Sequence, residues 1–262
     1  MLIRNAAAIM TGLPGNQARA QGSDIRISSE GRIEAIGSLV PQPDERVVDA
    51  TDCVVYPGWV NTHHHLAQSV LKGVPQGINL PLLSWLESVP YRYRTRFDPE
   101  LLSLAAEIGI AELMLAGCTT LADHHYVYWQ GMDYDPAKIL FDLAGRYGMR
   151  FVLCRGGATL KRPFEPADAP EPENLDLILQ DIERLARQYH DPGPEALRRV
   201  VMAPPTPNST RPDRSNQSMP ERTRSFGTPP AAQVTSSPAL KTIVSTFIPD
   251  SRGRCPEHLQ RD

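Results

Sequence analysis

Four short apolar runs, each separated from the next by a helix-length segment, constrain this chain more than any other feature. The runs are CVVYPGWVNT, CTTLADHH, MRFVLCRGG and RRVVMAPP. Between them lie PELLSLAAEIGIAELMLAG, DPAKILFDLAGRYG and PENLDLILQDIERLARQYH. In the first of these segments Leu101, Leu104, Ala105, Ile108, Leu113 and Leu115 fall mostly at helical spacing, and Gly117 is the expected terminator. The second opens at Asp135 with Pro136 at the first helical position and closes at Gly148. The resulting β-α-β-α-β-α-β alternation argues for a parallel sheet with helical crossovers. The runs are continuous rather than alternating, as expected of strands covered on both faces.

Polar residues collect at the C-terminal ends of these strands: His63 to His65, then Asp123 to His125, then Arg155. A (β/α)8 barrel carries its chemistry on that rim, and a doubly wound open sheet binds ligands there too, so the placement alone does not choose between them.

The flanks differ in character. Residues 1–57 hold short strand candidates, DIRI, RIEAIG, VVDA and CVVY, separated by turn material, and read as a small β-rich domain. Residues 58–203 carry the βα units. In residues 204–262 about half the positions are Pro, Ser, Thr or Arg, with no helical or strand period, so this tail is expected to be disordered. The net charge of −3 gives no electrostatic reason to expect nucleic acid or an anionic membrane as partner. Cys53, Cys118, Cys154 and Cys255 are far apart, without metal-type spacing, and three of them border apolar stretches. They read as small buried hydrophobes in a reducing cytoplasm. The opening MLIRNAAAIMTG lacks the apolar core of a signal peptide, and no run approaches the roughly 18 apolar residues that span a bilayer.

The stretch NTHHHLAQS concentrates three of the seven histidines at a strand end. Residues two apart on a strand share a face, so His63 and His65 can grip one cation while His64 points away. Neutral imidazole is a standard zinc ligand, and a catalytic zinc keeps one position open for water. A generic pair of this kind more often only makes local hydrogen bonds; its place at the end of a strand in a βα chain favours the metal reading.

PGWVNTHHHLAQS resembles the first-strand metal motif of the amidohydrolase superfamily, and VVDATDCVVYPG resembles the junction between its small β domain and barrel. HHHLAQSVLKG and GCTTLADHHY are most similar to the 8-oxoguanine and isocytosine deaminase group, with hydroxyatrazine-type aminohydrolases close by. The resemblance spans residues 1 to about 203. It implies a partial (β/α)8 amidohydrolase barrel of about four βα units, with a small N-terminal β domain and an irregular tail. It implies one divalent metal ion, zinc or iron, held in part by His63 and His65. It also implies hydrolytic deamination of a small heterocycle: activated water attacks the ring carbon bearing an amino group, ammonia leaves and a carbonyl remains. Gln68 matches a substrate-ring contact, with a surface or capping role as the alternative. Trp85 is expected to wall an aromatic pocket or pack in the core. His124 and His125 are expected to line the pocket or to support it, with His125 taken as the substrate contact, and Asp123 to orient one of them. Tyr126 and Tyr128 carry the same ambiguity as Trp85.

The family's site also takes a histidine after strand 5 with an acidic proton shuttle, another histidine after strand 6, and an aspartate after strand 8. Outside the two clusters this chain has only His190, at a helix end, and His258, in the tail. No HxHxxE segment follows residue 203. The expectation is therefore a truncated amidohydrolase with a tail like a shifted reading frame and little or no deaminase activity of its own. Two alternatives stand beside it. One is an s-triazine-type amino- or chlorohydrolase; the other is a non-catalytic half-barrel that pairs with a partner through its open edges.

Overall fold

The computed structural model describes residues 1–161, 165 and 167–203. The expectation of a disordered, frame-shifted tail lies outside these residues. The described residues fall into two compact units, Met1–Trp59 with Ala116–Thr119, and Val60–Leu115 with the residues from Thr120 onward.

The first unit contains β1 (Leu2–Arg4), β2 (Ala8–Ile9), β3 (Asp24–Ile27), β4 (Ile33–Gly37), β5 (Val47–Asp49) and β6 (Val54–Val55). Four of these form a sheet in the order β4-β3-β1-β5, and β2 pairs with β6 in a separate two-stranded ladder. β3 and β4 make an antiparallel hairpin whose turn closes through the Ser28 N–H to the Arg32 carbonyl, with Gly31 at φ 77°. The core is Ile3, Ile9, Ile25, Ala50, Cys53 and Val55. Arg26 bonds Glu45 through Nε at 2.9 Å and Nη2 at 3.0 Å, linking β3 to the segment before β5.

The βα segments follow as β7 (Trp59–His64), α1 (Leu82–Leu86), α2 (Pro99–Leu115), β8 (Cys118–His125), α3 (Pro136–Arg146), β9 (Arg150–Arg155), α4 (Leu175–Tyr189) and β10 (Arg198–Met202). The sheet order is β10-β9-β8-β7, and β8, β9 and β10 run parallel in register. The helix ends are those the sequence signals. Asp135 Oδ1 accepts from the Ala137 and Lys138 N–H groups, and Asn174 caps α4 through Asp176. Gly117 and Gly148 adopt φ 80° and 65°, which suits a glycine just past a helix.

The run CVVYPGWVNT is not one buried strand. It breaks at Pro57-Gly58 into β6 and β7, and Trp59 and Val60 are exposed. Pro57 has no N–H for a ladder, and a Cβ at Gly58 would overlap the Thr119 side chain. The strands also differ from the expectation of two covered faces. Leu121, Phe151, Leu153 and Val200 pack on Ala106, Ile110, Leu140, Phe141 and Leu185 of the helices. Val201, pointing the other way on β10, is exposed. Among the described residues the helices cover one face of a four-stranded sheet, half the strands of a closed eight-stranded barrel. No helix among them is long and apolar enough to cross a membrane. Cys53, Cys118 and Cys154 are buried, as their apolar surroundings implied.

Candidate metal centre

β7 delivers the two histidines, His63 inside the strand and His65 just after its last residue. Their Nε2 atoms lie 3.3 Å apart, with the rings edge to face. Two nitrogens each bound at about 2.0–2.1 Å to one cation at the tetrahedral angle would be about 3.3–3.4 Å apart. The pair therefore fits two corners of a zinc-type site. Among the described residues no group of three or more His, Cys, Asp or Glu side chains is arranged to hold a metal, so two corners are what these residues supply.

The neighbouring strand fixes both rings. The His63 ring stacks on that of His124, with centroids 4.1 Å apart and planes 12° from parallel, and its backbone N–H donates to Asn61 Oδ1 at 3.0 Å. His65 Nδ1 lies 2.7 Å from the carbonyl oxygen of His124. A carbonyl only accepts, so Nδ1 carries the proton and Nε2 keeps its lone pair for a cation. Burial lowers the pKa of His65, opposed by that same hydrogen bond. Burial also lowers His124, assisted by the nearby His63. Neutral imidazole is the form that binds metal. His64 is also pushed down by burial, and the exposed Lys72–Glu112 ion pair supplies two of its charged neighbours.

The histidine pair opens into a cavity of about 390 Å³ whose lining includes Gln68, Lys72, Ile78 and Trp85. Gln68 Nε2 donates to the Tyr126 hydroxyl at 2.8 Å. That bond uses one of the two amide N–H donors and leaves the Gln68 carbonyl oxygen to accept from a ring N–H. Burial pushes the Tyr126 hydroxyl up to about 12, so it remains a neutral phenol.

Of the residues singled out in the sequence, His63, His65, Gln68 and Trp85 line this one cavity, and so does His64, which was expected to point away. His125 does not, and its expected role as a substrate contact is corrected. Its side chain is 1% exposed and packs edge to face on Tyr128. It shares the strand face of the core residue Leu121, so the opposite residue, His124, is the one that reaches His63. Arg155 likewise stays out of the cavity lining. It is buried, bonded to Glu173 at 2.6 and 2.9 Å and to Asp181 at 3.0 Å, with its guanidinium 3.6 Å above the Tyr128 ring. Asp123 orients no imidazole closely: Oδ2 is 3.6 Å from His125 Nδ1, while Oδ1 accepts the Leu66 N–H at 2.8 Å. His190 caps the end of α4 and bonds the backbone of Val200 at 3.2 Å. Tyr91 lies 5.7 Å from the Tyr126 ring, and no motif in the sequence marked it.

Comparison with known proteins bears on this geometry. The model of the amidohydrolase family matches residues 54–258, past the point near residue 203 where the motif resemblance stopped. An isoxanthopterin deaminase from an unknown prokaryotic organism is 57% identical over 211 residues, covering 78% of this chain and 43% of the relative. The 8-oxoguanine deaminase of Pseudomonas aeruginosa is 36% identical over 217 residues, covering 80% and 46% respectively. The structure of atrazine chlorohydrolase from Arthrobacter aurescens complexed with zinc superposes with a TM-score of 0.69 at 27% identity, over 81% of this chain and 48% of that one. The chain thus spans under half the length of these relatives. A family match over most of the sequence, on a half-barrel whose first strand presents two convergent imidazoles, makes this chain a member of the amidohydrolase family.

Proposed function

We propose that this chain carries the first-strand half of the metal centre of a hydrolytic deaminase acting on aminated heterocycles of the 8-oxoguanine, isocytosine or isoxanthopterin kind. The observation that carries the reading is the 3.3 Å separation of the His63 and His65 Nε2 atoms at the mouth of the cavity. A divalent cation held there, zinc in the first instance, supplies water activated for attack on an amino-bearing ring carbon. The chain's own residues do the rest of the work available to them. The His124 carbonyl holds the His65 tautomer, Gln68 offers its carbonyl oxygen to a ring N–H, and Trp85 gives a flat apolar wall to a planar substrate. The deaminase reading is favoured over a triazine chlorohydrolase because the isoxanthopterin deaminase matches at 57% identity and the atrazine chlorohydrolase at 27%.

The remaining ligands and the proton shuttle are not among the described residues, so turnover by the 262-residue chain alone is expected to be low or undetectable. The test joins residues 1–203 to the complementary half of the isoxanthopterin deaminase relative and loads the chimera with zinc. Ammonia release is then followed from isoxanthopterin, 8-oxoguanine and isocytosine, and chloride and alkylamine release from atrazine. The reading expects release from an amino-oxo heterocycle that disappears in His63→Ala. A folded, zinc-loaded chimera that acts on atrazine alone, or on none of the four, contradicts it.

A further inference from the structure

The turn that follows His65 poses a capping problem. Residues Leu66–Leu71 form a 3-10 turn with His65 in the N-cap position, and the His65 side chain makes no capping bond. The ring is committed elsewhere, with Nδ1 on the His124 carbonyl and Nε2 facing His63. The first backbone N–H groups of such a turn have no acceptor within it, an N-cap side chain serves only the second or third of them, and Leu66, the first residue, is fully buried. The acceptor comes from another strand: Oδ1 of Asp123 takes the Leu66 N–H at 2.8 Å, across 57 positions of sequence.

Asp123 is itself 0% exposed, and its second oxygen has no hydrogen-bond partner. A buried carboxylate left half satisfied is costly on stability grounds alone. Its position explains its presence. It holds the residue immediately after one metal-facing histidine. The same strand end supplies the His124 carbonyl to the His65 ring. β8 therefore grips His65 on both sides, by its ring and by the peptide that follows it.

We propose that Asp123 is a positioning residue of the metal centre. Its carboxylate anchors the peptide N–H that directly follows His65, and so fixes the backbone from which the His65 ring meets His63. This inference rests on the reading of His63 and His65 as cation ligands and goes beyond it by assigning the group that aims one of them. Asp123 touches neither the cation nor the substrate in this account; it acts through the Leu66 peptide.

The experiment titrates Zn2+ alone into the 262-residue protein and into Asp123→Ala, Asp123→Asn, His63→Ala and His65→Ala. Hydrogen exchange at the Leu66 amide is followed in parallel. The carboxamide of Asp123→Asn keeps an oxygen that accepts the same bond, so this variant should retain Leu66 protection and zinc affinity within about threefold of the parent. Asp123→Ala should lose the protection and bind zinc about 10- to 100-fold more weakly, the range expected for groups that orient ligands. A merely structural aspartate would alter the melting temperature without this split between the two variants. If Asp123→Ala does not fold, Asp123→Asn decides: loss of Leu66 protection or of zinc affinity overturns the proposal. Zinc binding abolished by His63→Ala or His65→Ala but unchanged in Asp123→Ala overturns the inference and leaves the metal reading standing. Zinc binding indifferent to both histidines overturns the metal reading and this inference with it.

Discussion

His65 donates its Nδ1 proton to a backbone carbonyl, that of His124, at 2.7 Å. Because the acceptor is main chain, the His65 tautomer does not depend on the side chain at position 124. His124→Phe keeps an aromatic ring for His63 to stack on. It should leave His65 protonated at Nδ1, as read by nitrogen chemical shifts, with zinc affinity changed by less than about threefold. A switch of His65 to the Nε2 tautomer in that variant would show that the carbonyl is not what sets it.

The break between β6 and β7 rests on the absence of a side chain at Gly58, where a Cβ would overlap Thr119. Gly58→Ala should destabilise the protein by about 1–3 kcal/mol, the usual range for overpacking. Thr119→Ala in the same background should restore most of that loss, as measured by denaturant midpoints. Equal losses in the single and double variants would place the strain elsewhere.

Arg155 is 2% exposed and paired with Glu173 and Asp181. Arg155→Ala leaves the Glu173 carboxylate without its cation, while Asp181 keeps Arg184, and should cost about 3 kcal/mol. Arg155→Lys should recover little, because an ammonium cannot reproduce the forked contacts or the face-on approach to Tyr128. Thermal unfolding of both variants checks this, and a lysine variant as stable as the parent would refute it.

In the small β unit, the Arg26 hydrogen bonds and the Gln42 N–H lower the pKa of Glu45 from 4.5 to about 2. A depressed carboxylate stabilises the fold above its unfolded value and ceases to as pH falls through the folded one. The pair's contribution is therefore intact above about pH 4.5 and lost progressively toward pH 2. Glu45→Gln should be less stable than the parent at neutral pH, and the difference should shrink across that window. A difference that stays constant from pH 6 to about pH 2 would contradict the linkage.

Much of the βα framework was legible because its signals are local. Asp135 with Pro136, and Gly117 and Gly148, mark helix ends by capping chemistry that needs no tertiary partner. The His63–His65 pair was legible because strand parity is also local. The choice between His124 and His125 was open to the same parity rule. Leu121, Asp123 and His125 share one face, and an apolar Leu121 marks that face as the core side. Arg155 shares parity with Phe151 and Leu153 in the same way. What no local signal carried was long-range. The Asp123 bond to the Leu66 amide, the Tyr126 bond to Gln68 and the Gly58–Thr119 approach join residues 57 to 61 positions apart. Each follows from the register of β8 beside β7, which the sequence does not print.

The central claim is that His63 and His65 together bind a divalent cation. Zinc titration of the 262-residue protein, with X-ray absorption at the zinc edge, tests it most directly. The account expects one zinc per chain with two imidazole nitrogens at about 2.0–2.1 Å, and loss of that signal in both His63→Ala and His65→Ala. Zinc that binds through other residues, or with unchanged affinity when either histidine is removed, would contradict it.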